Sequence, residues 1–197
     1  MVAGLRERKK RETRRSISDI ATTLFMSKGF DNTTIAEIAE AAGVSPQTVA
    51  NYFPTKTDLF FDEDEWRIGP PAAIVEHCPK MTPAQAVLQW LLGDLRRRDA
   101  DGHLHGQATF RQTIFASAAL RHRYFDDLAA LNSAVHEAIA TTSPRLPSWR
   151  VGLTATTLTG ALIACEDEFA SLSITVPPDR LLAATSDVAK KILSRVP

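Results

Sequence analysis

The sequence predicts an all-α protein of about nine helices, because three patterns run through most of the chain. Apolar residues recur three and four positions apart, as in Ile17, Ala21 and Leu24, and so form one stripe of a helix. No segment alternates apolar and polar residues as a half-buried strand would. Proline and glycine clusters separate the stripes at Gly69–Pro71, Pro79, 102–106, 144–147 and 177–178.

The apolar stripes predict the individual helices in order. The first stripe ends at Gly29, a residue type that commonly closes a helix. Thr82 and Gln85 have capping-box spacing around Pro83, which predicts a helix beginning there. Later stripes predict long helices around residues 87–95, 120–135, 158–172 and 181–192.

The charge of the chain is balanced but unevenly distributed. It carries 23 basic and 23 acidic side chains, so net charge indicates no partner. Two distant cysteines, a charged N-terminus and the lack of an apolar stretch of about 20 residues predict a cytoplasmic protein without a membrane span. Residues 5–15 form a basic segment, typical of a solvated arm or of nucleic-acid contact: Arg6, Arg8, Lys9, Lys10, Arg11, Arg14 and Arg15.

Two short helices joined by a glycine turn follow the first stripe. Thr34 and Glu37 have capping-box spacing, which starts the first of them at residue 35. Gly43 ends it, since a tight turn needs a residue that tolerates positive φ. Ser45 followed by Pro46 then starts a second helix.

The side chains of these two helices favour a helix-turn-helix. Ala39 is small at the point where the helices are expected to cross. Val49 and Phe53 lie four apart, so they share the inner face of the second helix. In a helix-turn-helix that second helix enters the major groove, and the sequence therefore predicts DNA binding.

This region resembles the TetR (tetracycline-repressor-like) family in the run IAEAAGVSPQTVANYFPTKTDLF. The AGVS turn, the short helix ending in YF and the following lysine and leucine carry the resemblance, which covers about residues 10–65. The chain departs from the family where Ala50 replaces a common aromatic residue and Gln47 a common glycine.

The resemblance implies a ligand-responsive repressor rather than an enzyme. It implies a DNA-binding domain over residues 1–60 and an effector-binding and dimerisation domain over 61–197. A small molecule bound to the second domain would lower the affinity for a double-stranded operator. The small residues of segment 148–172 and the family pattern place a homodimer interface on 148–172 and 179–195.

Six residues are predicted to contact DNA: Thr34, Gln47, Thr48, Asn51, Tyr52 and Lys56. Gln47 and Asn51 lie opposite the inner face, and their amides are able to pair with adenine; contact with phosphate or water alone is the alternative. Thr48, Tyr52 and Lys56 resemble the family's phosphate contacts. Thr34 is expected to serve both as helix cap and as phosphate donor.

The sequence of the effector domain indicates less about its ligand site. A pocket between helices is the usual ligand site of such a domain, although ordinary core packing also explains its aromatic residues. No cofactor or metal is predicted, because His103 and His105 lack a third ligand nearby. The candidate pocket residues are Trp66, Trp90, Phe110, Phe115, Trp149 and Phe169.

Two other functions fit an all-helical chain less well. An enzyme would need a nucleophile–base pair, an HExxH, a P-loop or a carboxylate motif, and none of these occurs. A purely architectural DNA-binding protein would not need the long, non-basic helical region that follows the helix-turn-helix.

Overall fold

A computed structural model describes residues 2–62, 65–78 and 80–196, and within them the chain is helical without strands, as predicted. These residues form ten α-helices, whereas the sequence predicts about nine. A helix as short as Lys56–Phe60 has too few apolar positions to show a period. A 3₁₀ helix, His103–Gly106, precedes α7. The helices are α1 (Val2–Lys28), α2 (Ile35–Ala41), α3 (Pro46–Tyr52), α4 (Lys56–Phe60), α5 (Glu65–His77), α6 (Pro83–Ala100), α7 (Gln107–Ala116), α8 (Ala118–Thr142), α9 (Ser148–Thr175) and α10 (Pro178–Leu193).

The break predicted at Gly69–Pro71 is wrong, because α5 continues through both prolines. Proline has a helical φ, but each ring removes a backbone hydrogen bond and crowds the carbonyl four residues before it, so the pair weakens the helix. Burial of Pro70, Ala73 and Ile74 in the α5–α6 packing offsets that loss. Pro79, another expected break, lies outside the described residues.

The chain forms two compact units. The first comprises Met1–Glu63 together with Thr113–Arg123, and the second comprises Asp64–Gln112 together with Tyr124–Pro197. The functional boundary between residues 60 and 61 stays a prediction. In the structure, residues 113–123 also belong to the N-terminal unit. Helical periodicity does not predict this, because it does not show which distant segments pack together.

The first unit is built around aromatic rings. Ile17, Ala21 and Phe25 are fully buried, as the α1 stripe predicts. The Phe25 ring lies 5.0 Å from Phe30 and 5.9 Å from Phe60, between ring centroids, so α1 and α4 share one aromatic cluster. Aromatic pairs at these separations add about 0.5–1.5 kcal/mol beyond the area that they bury.

Segment 113–123 belongs to this unit through both apolar and polar contacts. Ile114 and Leu120 are buried. Buried Ser117 donates a hydrogen bond from Oγ to Asp31 Oδ1 at 2.8 Å, just after α1. The loop that leads into α2 is thereby fixed from a distant part of the sequence.

The second unit packs α6, α9 and α10 around a continuous apolar core. Leu91, Leu158 and Leu181 are buried in it, one from each helix. Cys165 is also fully buried, and burial raises the pKa of its thiol to about 12. It therefore stays a neutral, space-filling side chain, as expected for a cysteine without a partner.

A buried ion network crosses this core. Arg98 Nε lies 2.7 Å from Asp94 Oδ2 within α6, and Arg98 Nη1 lies 3.3 Å from Glu166 Oε1 on α9. Gln107 completes the network when its amide is oriented to satisfy both neighbours, with the oxygen 3.0 Å from Arg98 Nη1 and the nitrogen 3.2 Å from Glu166 Oε2. The buried Asp94 carboxylate is thus paired, as a charge in an apolar core must be.

We predict that Gly69→Ala destabilises the protein by about 1–3 kcal/mol, because the added methyl group would overlap the indole ring of Trp90. The matched control is Gly93→Ala in α6, where an added Cβ meets nothing within 4 Å. There alanine is expected to stabilise the helix by roughly 0.5–1 kcal/mol. Urea unfolding measures both effects, and a Gly69→Ala protein as stable as wild type would contradict the close packing.

Candidate nucleic-acid interface

A close crossing of α2 and α3 forms the centre of the candidate interface. Ile38, Ala39 and Val49 are buried where the two helices meet. Gly43 has φ +65°, which lets the chain reverse tightly between them. The amide of Val44 then donates to the carbonyl of Ala39 at 2.9 Å and closes the turn. This is the helix-turn-helix geometry that the sequence predicts.

The short helices α2 and α3 each begin at the cap that the sequence predicts. Thr34 and Glu37 form a complete capping box at α2. Ser45 accepts the Thr48 amide at the start of α3, next to Pro46. Helices of five to seven residues are unstable in isolation, so caps and tertiary packing determine where they begin.

The cap of α4 is tied to segment 113–123. Thr55 and Asp58 form its capping box, and Asp58 Oδ1 also accepts from Arg123 Nη1 at 2.7 Å. Burial favours the neutral acid, but the hydrogen bonds from Thr55 and Arg123 outweigh it and lower the pKa of Asp58. Asp58 therefore remains charged and holds the start of α4 in place.

The outer face of α3 presents two exposed amides. Gln47 and Asn51 are both exposed, while Val49 on the opposite face is fully buried. Gln47 Nε2 donates to Asn51 Oδ1 at 3.1 Å, as neighbours four apart on a helix are able to do. The bond orients both amides outward. Thr48, beside them, is half-buried and bonds to Ser45 Oγ at 2.8 Å.

Lys56 and Tyr52 flank this face. Tyr52 is the half-buried last residue of α3. Lys56 Nζ lies 4.3 Å from the centroid of the Phe30 ring, a cation–π contact with the aromatic cluster. Partial burial against the rings lowers the pKa of Lys56, and Asp31 and Glu37 oppose that shift. Thr34, the remaining predicted contact, is exposed at the N-cap of α2.

The basic segment is helical and forms the first turns of α1. Its exposed residues are solvated or paired along the helix: Arg8 Nε lies 3.4 Å from Glu12, and Arg15 Nε lies 4.0 Å from Asp19. The side chain of Arg6 lies outside those described. Arg14 differs from the rest, because it donates to the carbonyl of Tyr52 at 2.8 Å. The sequence alone does not reveal this contact, although Arg14 lies three residues before Ile17 on the buried stripe.

The six aromatic residues considered for a ligand pocket lie in different surroundings. Trp66 and Trp90 are partly buried against the core of the second unit, where Phe169 is fully buried and Phe110 half-buried. Phe115 belongs to segment 113–123 and is exposed. Trp149 is exposed at the start of α9, twenty residues before Phe169, which places the two about 30 Å apart along the helix.

Two further kinds of feature are absent from the described residues. None of their helices is both long and apolar enough to cross a bilayer. They also contain no group of three or more histidine, cysteine, aspartate or glutamate side chains arranged to hold a metal ion.

The fold and the exposed amide face define a helix-turn-helix DNA-binding unit joined to a helical second unit. Residues 17–62 match the family model described as bacterial regulatory proteins, tetR family. This stretch of the chain is therefore similar to the TetR family of bacterial regulatory proteins.

Individual proteins show the same likeness. TcmR of Streptomyces glaucescens, an HTH-type transcriptional regulator, is 41% identical over 56 residues, which are 28% of this chain and 25% of TcmR. The match thus spans only about a quarter of that relative. A putative TetR-family regulator from Mesorhizobium loti has TM-score 0.56 at 20% identity, covering 93% of this chain and 96% of its own.

A second solved structure is similar over the same extent. NalD, the secondary repressor of the MexAB-OprM multidrug efflux pump in Pseudomonas aeruginosa, has TM-score 0.57 at 17% identity, covering 93% of this chain and 96% of its own. At such identities the likeness shows the fold, which extends through the second unit.

We predict that the stabilising effect of Glu37 disappears in acid. Lys28 Nζ, 2.9 Å away, and the Thr34 amide lower the pKa of Glu37 from 4.5 to about 2. Since the pKa is lower in the folded state, the charge stabilises fully above about pH 4.5 and loses its effect as pH falls towards about 2. Glu37→Gln keeps a capping side chain without the charge, so its stability deficit is expected to shrink over that window.

Urea unfolding at a series of pH values measures this deficit. In a Lys28→Gln background the pH-dependent part of the deficit is expected to be smaller, because the largest cause of the pKa shift is gone. A Glu37→Gln deficit that is the same at about pH 3 as at neutral pH would contradict the prediction.

Proposed function

We propose that the chain is a regulator of the TetR family: a cytoplasmic, homodimeric repressor that binds a near-palindromic DNA operator and releases it when a small molecule occupies its second domain. The observation that carries the DNA-binding part is the exposed Gln47–Asn51 pair on the helix that follows the Gly43 turn. NalD, which has the same fold, is a repressor. We therefore assign repression, rather than activation, to this chain.

Gln47 and Asn51 read base edges in this proposal. Each carries one donor and one acceptor, which match adenine N7 and N6 in the major groove. Their mutual hydrogen bond holds the two amides on one face of α3 before DNA is met, so little side-chain freedom remains to be lost. On contact with DNA that bond is exchanged for bonds to bases.

Phosphate contacts surround this readout. Thr34 and Thr48 lie at the first turns of α2 and α3, where free backbone amides accompany their hydroxyls. Tyr52 and Lys56 lie at the far end of α3. The exposed residues of the basic segment add long-range attraction or minor-groove contact.

The ligand site is proposed for the second domain. Trp66 supports it: its Nε1 is buried and has no hydrogen-bond partner among the described residues, and an indole N–H out of water calls for an acceptor. Trp66 and Trp90 both border the core there. Gln107 and Glu166 are bonded to Arg98, so a ligand using them would have to replace those bonds.

The dimer interface is proposed on segments 148–172 and 179–195, with α9 supplying its centre. Trp149 and Leu153 are exposed on α9, and no charged residue occurs between Arg150 and Glu166. The apolar face of α10 packs inside its own unit, and its outer face is charged. We therefore assign α10 to the polar rim that commonly surrounds an interface core.

We predict that Gln47→Ala and Asn51→Ala each weaken operator binding by roughly 1–3 kcal/mol while changing binding to random DNA little, because base contacts are lost. Lys56→Ala should instead weaken binding to all sequences and reduce the salt slope by about one, as loss of a phosphate contact does. A selection on randomised half-sites at fixed salt, followed by salt titrations, measures both.

Wild type serves as the reference for that selection. Equal losses on operator and random DNA for the amide variants would contradict base readout and assign specificity to DNA shape or the basic segment. A wild-type protein that selects no sequence would contradict the proposed function itself.

We predict that Leu153→Asp produces a monomer at micromolar concentration, since a buried charge opposes association through the α9 face. The matched control is Ile68→Asp on α5, because Leu153 and Ile68 are 54% and 59% exposed. Sedimentation gives the mass. A dimeric Leu153→Asp protein, or a wild type that binds one half-site as well as a palindrome with half-sites about 34–36 Å apart, would contradict the α9 dimer.

A further inference from the structure

Arg14 makes three contacts that no other residue of the basic segment makes. Its Nη1 donates to the carbonyl of Tyr52 at 2.8 Å. Its Nη2 forms an ion pair with Asp62, just after α4. Its Cζ lies 4.3 Å from the centroid of the Phe53 ring. One guanidinium therefore joins α1, the end of α3 and the residue that follows α4.

The carbonyl that Arg14 binds belongs to the last turn of α3. Such carbonyls have no partner within the helix, and the helix dipole makes this end negative. A cation that donates a hydrogen bond there satisfies one of them and favours that position of the helix end. Phe53, the C-cap, is buried beneath the guanidinium and limits where it is able to lie.

The planar fork of arginine suits this position. It donates in two directions at once, to Tyr52 and to Asp62, while its face covers the Phe53 ring. A lysine ammonium carries the same charge, but it cannot present two donors in one plane and stack as well. The contact therefore depends on shape as well as charge.

Neighbouring basic residues lack this arrangement. The Arg15 side chain is 69% exposed, against 41% for Arg14, and it pairs with Asp19 one turn along the same helix. Arg15 points away from the stripe that Ile17 and Ala21 form, whereas Arg14 continues that stripe by one turn. Arg15 is thus a matched control of equal charge.

We propose that Arg14 is a positioning residue for the recognition helix α3 and not one of the DNA phosphate contacts. It fixes the C-terminal half of α3 against α1 and Asp62, and so sets where Asn51 and Tyr52 meet the groove. A base contact is lost when a side chain shifts by about 1 Å, because hydrogen bonds weaken steeply with distance and angle. This inference rests on the proposed DNA-binding function.

The test compares Arg14→Gln, Arg14→Lys, Asp62→Asn and Arg15→Gln for binding to the selected operator and to random DNA over a salt series. We expect the operator-to-random affinity ratio to fall about tenfold in both Arg14 variants and in Asp62→Asn, the loss of one good base contact. Arg15→Gln should weaken binding to operator and random DNA by the same factor, because its charge attracts every sequence alike, and so should leave the ratio unchanged. The salt slope of Arg14→Gln should equal that of wild type, whereas a lost phosphate contact would reduce it by about 0.9.

The Asp62→Asn variant distinguishes the positioning of α3 by Arg14 from simple electrostatic attraction of DNA. It removes a negative charge, so simple electrostatics would strengthen binding to every sequence, whereas loss of the Arg14 anchor lowers operator preference. Partial unfolding scales operator and random binding by one factor and leaves their ratio unchanged, so the ratio distinguishes positioning from loss of fold even if Arg14→Gln folds poorly.

The outcomes are distinct. An unchanged ratio in Arg14→Lys and Asp62→Asn, or a salt slope reduced by about one in Arg14→Gln, would overturn the inference and leave DNA binding by α3 intact. A wild-type protein without operator preference would instead overturn the proposed function.

Discussion

The close crossing of α2 and α3 at Ala39 and Val49 is the constraint on which the DNA-binding face depends. A small residue lets the two backbones approach, and the positive φ of Gly43 lets the chain reverse within a few residues. Val49 is then buried, and helical geometry leaves Gln47 and Asn51 on the opposite, solvent side. The exposure of the two amides thus follows from the burial of one valine.

The two ends of α3 are held in different ways. At its start the cap is local, since Ser45 and Thr48 lie three residues apart. At its end the support comes from distant residues: Arg14 holds the last carbonyl, and Phe53 packs beneath the guanidinium. Lys56 in turn covers the Phe30 ring of the aromatic cluster. Arg14 and Lys56, which lie over the Phe53 and Phe30 rings, therefore stabilise the fold of the first unit. Their charge alone would suggest only contact with DNA.

Charged side chains also hold helices together in the second unit, where they are less accessible to water. Asp94, Arg98 and Glu166 lie among apolar side chains, where an unpaired charge would cost several kcal/mol. Each has a partner, and Gln107 bonds to two of them. Such a network constrains how α6, α7 and α9 meet, because its ion pairs and hydrogen bonds need these helices in one arrangement. Asp94 Oδ2 takes part through its ion pair with Arg98 and not through a hydrogen bond, and the buried Trp66 Nε1 in the same unit has no hydrogen-bond partner among the described residues.

The sequence alone determined the features that rest on neighbours within about four residues along the chain. The α1 stripe, the capping boxes at Thr34 and Thr82, and the Gly43 turn are of this kind, and all are present in the structure. The tertiary structure alone decided that Arg14 faces Tyr52, that segment 113–123 joins the N-terminal unit, and that α5 continues through two prolines. Periodicity shows that a helical face is buried without showing which residues bury it, because those partners lie tens of residues away in the chain and only folding brings them together.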